Sequence, residues 1–431
     1  MGAFAARHVG QSKFMPRFQV VPNARTPRIL AIVQAGGKGS RMDVLTRERA
    51  KPALPFGGSY QLIDFALSNL AHSGIPDVWV SVQYQAASLD RHLSGGRPWD
   101  LDRTRGGYRR LVPEEGDTSS LEGFSTGNAD DLMRMADDIA ASRADIVVVT
   151  SADHVFRLDV RSVIEEHLAH GAECTLVTTT VARAEARHKA VVRLGRGKKV
   201  AGLDYKPASP ARGLIATEIF VYDAPTLLRE LDALRRDRAA VDPGLEDGLG
   251  DFGEHLLPRI IGRGRTYAFA LEGYWKDLGR PSAYLAAHRD LLRGTVDVFD
   301  DPDWPILTRF PEFPPARVGG TGCVDDSLLS PGVVVNGTVR GSVLGPGCLV
   351  EAGARVEDSV LMDGVRVASG AVVQGAILDI GVIVEADASV GAVPSRWPPA
   401  ESAVTLCGAD AHVARGAVVP AGARLEPGAW S

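Results

Sequence analysis

Between residues 333 and 390 the aliphatic side chains keep a period that few folds can use. Val333, Val350, Val367 and Val384 are spaced 17 apart, as are Val339, Val356, Val373 and Val390, and as are Leu344, Leu361 and Leu378. Two steps of six residues and one of five turn each 17-residue unit into a coil with three sides, one aliphatic pointing inward on each. Val413, Val419 and Leu425 continue in steps of six. A unit that hides its aliphatics only against the coils above and below is a solenoid. The hexapeptide step predicts a left-handed parallel β-helix over residues 317–431.

The preceding part follows another rule. Over residues 27–290, short apolar strands alternate with amphipathic helices, which predicts an α/β domain with a mostly parallel, Rossmann-like sheet. Residues 29–33 read as a buried strand. Residues 60–72 read as a helix with Leu62, Ile63, Ala66, Leu67 and Leu70 on one face, and Gly74 as its stop. Another strand is expected at 78–82, and one helix from 129 to about 143, N-capped by Asn128 and buried through Leu132, Met135, Ala136 and Ile139. Residues 146–150 read as a buried strand that places Asp153 just past its C-terminal edge, where open α/β sheets bind ligands.

Three segments fit neither pattern. Residues 102–124 open on Asp102-Arg-Thr-Arg-Gly-Gly-Tyr-Arg-Arg110 and read as a long surface loop, either a mobile flap or a set of solvated arginines with an effector role as the alternative. The proline-rich stretch 291–316 reads as a linker or docking segment. Residues 1–26 carry Arg7, Lys13, Arg17 and Arg25 with no acid and read as a basic, disordered tail, with Met15 as an alternative start.

The sharpest local motif follows the first strand: Gln34-Ala-Gly-Gly-Lys-Gly-Ser-Arg41, then Lys51-Pro52. Gly36, Gly37 and Gly39 let the backbone turn tightly and present N–H groups to an anion, and Arg41 and Lys51 add two positive charges. A strand, a glycine turn and two cations suit a nucleoside triphosphate. Neither the Gly-x-x-x-x-Gly-Lys-Ser/Thr nor the Gly-x-Gly-x-x-Gly pattern fits, so the bland reading of the turn alone is an ordinary strand-to-helix connection. At net charge −5 with 23% charged residues, nothing points to nucleic acid as a partner. No apolar run approaches the ~18 residues of a membrane span. Cys174, Cys323, Cys348 and Cys407 lack any Cys-x-x-Cys spacing and read as reduced packing thiols of a cytoplasmic protein.

The motif continues through Arg49-Ala-Lys-Pro-Ala53 and Phe56-Gly-Gly-Ser-Tyr-Gln-Leu-Ile-Asp-Phe65. Further pieces are Gln83-Tyr-Gln85, Gly127-Asn-Ala-Asp130, Ala152-Asp-His-Val-Phe156, Asp251-Phe-Gly253, Tyr274-Trp-Lys-Asp-Leu-Gly279 and Asp303-Trp-Pro-Ile306. In this order the chain resembles the sugar-phosphate nucleotidyltransferases, and within them the bacterial glucose-1-phosphate adenylyltransferases. The resemblance implies transfer of AMP from ATP to a sugar 1-phosphate, giving a nucleotide sugar and pyrophosphate without an enzyme nucleophile. It implies catalytic roles for Arg41, Lys51 and Asp153. Ala35, Gly36, Gly37, Gln83 and Gly127 would border the nucleotide, with Gln83 reading adenine. Lys206, Trp275 and Asp277 would border the sugar phosphate, and Asp153 and Asp277 would hold Mg²⁺. It further implies a homotetramer. Taken singly, Asp153 could be a helix cap, Asp277 a turn residue, and Arg41, Lys51 and Lys206 surface charges.

Several positions depart from the family pattern. Tyr205 replaces a glutamate before Lys206. Ile215-Ala-Thr-Glu218 replaces Ala-Ser-Met-Gly, and Lys189-Ala-Val191 replaces Phe-Gly-Val. Glu48 replaces an activator-type lysine. These changes cluster on the sugar side and leave two alternatives open: a different sugar 1-phosphate, or a weakly catalytic regulatory subunit. A third reading, the β-helix as an acyltransferase, lacks its usual histidine base, because His412 is the one histidine after residue 301.

Overall fold

The structure, a computed structural model, describes residues 26–112, 125–241 and 248–431. The expected tail and the 113–124 part of the expected loop lie outside the described residues. The first half is built on a nine-stranded sheet. Strand β1 (Ile29–Gln34) lies between β2 (Asp77–Ser81) and β4 (Ile146–Ser151), parallel to both, and β3 (Gly107–Leu111) extends the parallel part at the edge. Beyond β4 the order continues through a long antiparallel strand, Leu214–Asp223, to a flank of further strands.

The strands are parallel and central because both faces of their apolar runs are covered. Ala31 and Val33 pack with Ile63, Leu67 and Leu70 of helix α1 (Leu62–His72). Leu30 and Ile32 pack on the opposite face with Leu132 and Ile139. Helix α1 starts with a capping box, Gln61 and Asp64 reciprocally bonded, and Gly74 at φ 68° follows its end.

Two expectations in this half are corrected. Residues 129–143 form two helices, α2 (Asn128–Arg134) and α3 (Ala136–Ser142), broken where Met135 leaves helical geometry at φ −89° and ψ 1°. The N-cap is Gly127, not Asn128. A β-carbon on Gly127 would lie 2.3 Å from the carbonyl carbon of Gly250, so the chain enters the helix through a contact that only glycine permits. The surface loop expected from residue 102 instead contributes β3. Tyr108 is half-buried, Arg109 lies over the Trp79 ring and pairs with Asp138, and Arg110 pairs with Asp90. These two arginines hold an edge strand in place.

The second half is the left-handed parallel β-helix, three sheets of six short parallel strands. Val335, Val350, Val367, Val384 and Val413 stack on one side and are fully buried. Val339, Val356, Val373, Val390 and Val419 stack on the second, and Leu344, Leu361, Leu378, Cys407 and Leu425 on the third. Val333 is therefore misassigned by its spacing: the register pairs Val335, not Val333, with Val350. The coil between them is two residues shorter than the repeat. After Val390 the next inward residue on the third side is Cys407, so residues 392–403 leave the coil as an excursion.

That excursion and the proline-rich stretch join the halves. Trp397 lies under Arg289 of the helix Pro281–Leu292, and Ser282 of the same helix donates to Glu401. Leu307 N–H donates to Ser68 Oγ at 2.8 Å and Trp304 Nε1 to Asn69 Oδ1 at 2.9 Å, so the stretch runs along α1. Phe56, Phe65 and Tyr284 share a core with Met362, Ile377 and Leu406. Arg49 pairs with the buried Asp379, and Arg289 with Asp358. Among the described residues no helix is long and apolar enough to cross a membrane.

Asp363, near Arg49, gives a measurable consequence. Burial pushes its carboxyl up to about 6 against the pull of Arg49. Between about pH 4 and 6 the folded chain keeps a proton that the unfolded chain has released, so stability falls as pH rises through that window. Asp363→Asn is expected to be more stable than the parent by roughly 1–2 kcal/mol at pH 7.5 and equal to it near pH 4. Paired thermal melts at the two pH values check this, and no gain at pH 7.5 contradicts it.

Candidate active site

The parallel strands end side by side, with Gln34 in register with both Ser81 and Ser151. Every loop leaving that edge therefore starts at the same level. After β1, Ala35 N–H donates to Ser81 O at 2.8 Å and ties the glycine turn to β2. Gly36 sits against the Gln83 amide, where a β-carbon would come within 3.0 Å of Nε2. Gly39, at φ 66°, opens the 3₁₀ turn Ser40–Thr46. A β-carbon on Gly37 would meet nothing within 4 Å, and both Gly37 and the exposed Arg41 line a cleft.

The floor of the cleft is a charge cluster. After β4 the chain turns at Asp153 into strand β5 (His154–Phe156), which pairs antiparallel with Trp275–Asp277 so that His154 faces Asp277. This pairing brings Asp153 and Asp277 together. Lys51 Nζ reaches Asp153 Oδ2 at 2.5 Å and Asp277 Oδ1 at 3.3 Å, although Lys51 itself is only 6% exposed. Lys189 forms an ion pair with the other oxygen of Asp277 and stands 5.4 Å from the Trp275 ring centroid. Ser151 donates to Asp153.

Burial alone raises the carboxyl pKa values, but here the cations win. Lys51 and His154 hold Asp153 below the usual carboxylate range, and Lys51 and Lys189 do the same for Asp277. Burial works against the Lys51 ammonium, yet the two aspartates hold its pKa above the ordinary lysine value. Asp153, Asp277 and Lys51 are therefore charged at neutral pH.

Asp153, His154 and Asp277 each offer a donor atom, all within 4.8 Å of one another. The two carboxylates suit a hard divalent cation, whereas the imidazole is a ligand that softer metals prefer. The two ammonium groups already on those carboxylates show that the site is built to hold positive charge.

The remaining expected residues lie around this centre. Gln83 follows β2. Its Nε2 donates to Asp131 Oδ1 at 3.1 Å and to Ser125 Oγ, and its Oε1 accepts from Ser125 N–H at 3.0 Å. Gly127 packs on Gly250, which places the N-terminus of α2 beside the cleft. Trp275 is buried, and its Nε1 has no partner among the described residues. Lys206, at φ 45°, is half-exposed, lies over the Tyr205 ring and pairs with Asp251 at 3.2 Å. It lines the cleft with Lys189, Tyr205, Ala216 and Glu218.

Glu218 occupies a bulge, where the register of Leu214–Asp223 slips between Ala216 and Phe220, and it takes φ 59°. A left-handed position at a bulge favours glycine. The chain instead places a carboxyl inside the cleft, and burial raises its pKa while His154 and Lys189 pull it down. Tyr205 OH donates to Asp251 Oδ2 at 2.5 Å, closing the space beside Lys206.

Sequence reasoning assigned no role to His154, Gln34 or Asp131, and it noted Lys189 only as a departure on the sugar side, not as a partner of Asp277. Lys189 stands 88 residues from Asp277, so its local string marks a changed lining but not the ion pair. His154 had one local signal, its place next to Asp153. The paired acids Asp130-Asp131 resemble ordinary first-turn helix residues.

Residues 30–294 match the Nucleotidyl transferase family and residues 312–397 the GlmU-like, C-terminal hexapeptide family. The chain is 33% identical to the glucose-1-phosphate adenylyltransferase of Bacillus thuringiensis (strain Al Hakam), over 78% of this chain and 88% of that protein. The enzymes of the same name from Bacillus anthracis and Bacillus mycoides (strain KBAB4) are each 32% identical, with the same coverage.

Proposed function

The chain belongs to the nucleotidyl transferase family and stands with its glucose-1-phosphate adenylyltransferases, and on that premise we propose that it transfers AMP from ATP to glucose 1-phosphate, yielding ADP-glucose and pyrophosphate for α-glucan synthesis. The observation that carries this reading is the cluster of Lys51, Asp153, Asp277 and Lys189 beneath the glycine turn at the sheet's C-terminal edge.

In this reading the sugar-phosphate oxygen bonds to the α-phosphorus as the bond to the β-phosphoryl oxygen breaks, and pyrophosphate leaves with the electron pair. The protein contributes position and charge. The N–H groups of Ala35, Gly36 and Gly37 and the cations of Arg41 and Lys51 meet the triphosphate, while Gln83 and Gly127 border the base. Lys206, Trp275 and Asp277 border the sugar phosphate. Asp153 and Asp277 would hold Mg²⁺, which when bound would supply charge neutralisation at the phosphates. Lys51 touches both carboxylates, so it keeps them together and shares in that neutralisation. Lys189, Tyr205, Ala216 and Glu218 line the sugar side, where the chain departs from its family's pattern, so several sugar 1-phosphates are to be compared with glucose 1-phosphate.

Four free cysteines support a reducing, cytoplasmic setting, and the exposed coil faces of the β-helix support assembly into a homotetramer. Incubation with ATP, Mg²⁺ and glucose 1-phosphate is expected to release one pyrophosphate per ADP-glucose formed. Release with a different sugar 1-phosphate corrects the sugar alone. No pyrophosphate with any sugar phosphate overturns the reading.

A further inference from the structure

At the end of β1 a glutamine is held by groups that can only accept hydrogen bonds. Gln34 Nε2 donates to Asp131 Oδ2 at 2.9 Å and to the backbone carbonyl of Asn128, also at 2.9 Å. A main-chain carbonyl has no proton to give, so the Gln34 amide cannot turn over whatever the charge on Asp131. The Gln83 amide is fixed the same way, with Nε2 toward Asp131 and Oε1 on Ser125 N–H. Asp131 also accepts from Ser81 Oγ at 2.7 Å. It is 6% exposed, and among the described residues no cation pairs with it.

All three donors thus point at one buried carboxylate, which leaves the amide oxygens as the groups turned away from it. Gln34 is 8% exposed and lines the cleft, and its Oε1, itself buried, has no hydrogen-bond partner among the described residues. A buried acceptor without a donor is costly to keep, so a donor is what this position needs.

We propose that Gln34 is a base-specificity residue, oriented by Asp131 and the Asn128 carbonyl, whose Oε1 accepts from the exocyclic amine of the nucleotide base. This rests on the adenylyl-transfer reading and adds to it a residue and a chemical rule: the site selects a base carrying an amino group and disfavours a keto oxygen at the same place. Asp131 is a positioning residue, because it reaches the base only through the two glutamines.

The test compares ATP with inosine triphosphate, which presents a 6-keto oxygen in place of the amine. Both are titrated against the full chain with Mg²⁺ by calorimetry, and pyrophosphate release is followed in parallel. The parent is expected to bind ATP at least about tenfold more tightly than inosine triphosphate. Gln34→Leu, of similar size, should bring the two within about threefold, mainly by weakening ATP. Asp131→Asn should shrink the preference while leaving the KM for the sugar phosphate unchanged, an outcome that a merely structural role would not give. A parent that binds the two triphosphates equally overturns the proposal without any variant. If ATP is bound and consumed but Gln34→Leu keeps the full preference, the assignment of Gln34 falls alone. If neither triphosphate binds and no pyrophosphate appears with any sugar phosphate, the adenylyl reading falls and this inference falls with it.

Discussion

Asp153→Asn is expected to lower turnover by about 10²–10³-fold or more while the protein stays folded. The substitution keeps the shape of the side chain and removes its charge. Asp153 accepts from Lys51 at 2.5 Å and from Ser151, and its carboxyl is held in the ionised form by Lys51 and His154. An amide in its place gives one oxygen with no charge, and the Mg²⁺ that Asp153 and Asp277 are proposed to hold would lose half of its anionic support. Manganese titration of the same variant should show affinity reduced by about tenfold or more, a readout that does not depend on turnover. Lys51 retains Asp277 at 3.3 Å, so it is not left as an isolated buried cation and the fold should survive. Turnover within about tenfold of the parent would remove Asp153 from the chemistry. The weakly catalytic alternative from the sequence would then be favoured, since it demands a site whose aspartates do little.

That variant tests what was legible in the sequence. The strand ends, the glycine turn and both aspartates were readable because each sits in a local string whose spacing carries its meaning. The β-helix was readable because its period repeats. What escaped depends on three-dimensional register. Val333 and Val350 are 17 residues apart, yet the coil between the true partners Val335 and Val350 is two residues short, so the count matched at the wrong residue. Arg109 and Arg110 looked like loop charges because an edge strand buries only one face, here through Tyr108, and leaves its polar residues outward. Lys189 and Asp277 meet only because Trp275–Asp277 pairs with His154–Phe156. Asp131 looked like a first-turn acid, and its three donors come from β1, β2 and the loop after β2. Local strings report the parts of a site contributed by one loop. The polar residues that orient those parts arrive from elsewhere and follow no spacing rule.

The same dependence on distant partners governs the seam between the halves, where the largest stability effect is expected. Arg49→Ala should destabilise the chain by about 3–5 kcal/mol, because it leaves Asp379 charged, buried and without a cation. Asp379 has a side chain 2% exposed and pairs with Arg49 across 330 residues of sequence, so no local rearrangement supplies a substitute. Among the described residues the one other hydrogen bond to its carboxylate comes from the Ile380 N–H at 2.7 Å. Arg49 Nη1 also reaches Met362 Sδ at 3.5 Å, so alanine loses packing on the β-helix wall as well. Burial raises the Asp379 carboxyl pKa, and Arg49 is the main influence opposing that rise. Without Arg49 the carboxyl takes up a proton more readily, so the loss should be larger at pH 8 than at pH 5. Replacing both partners with apolar residues, Arg49→Met with Asp379→Leu, should recover most of the stability, because the cost lies in the unpaired charge and not in the absent bond. Urea denaturation of the parent, single and double variants at both pH values separates these terms. A single variant within about 1 kcal/mol of the parent would mean that water reaches Asp379 and that the pair is worth no more than a surface ion pair. A double variant as unstable as the single would place the loss in packing against Met362. The predicted pattern is a deep loss in the single variant, shallower in acid, and largely restored in the double.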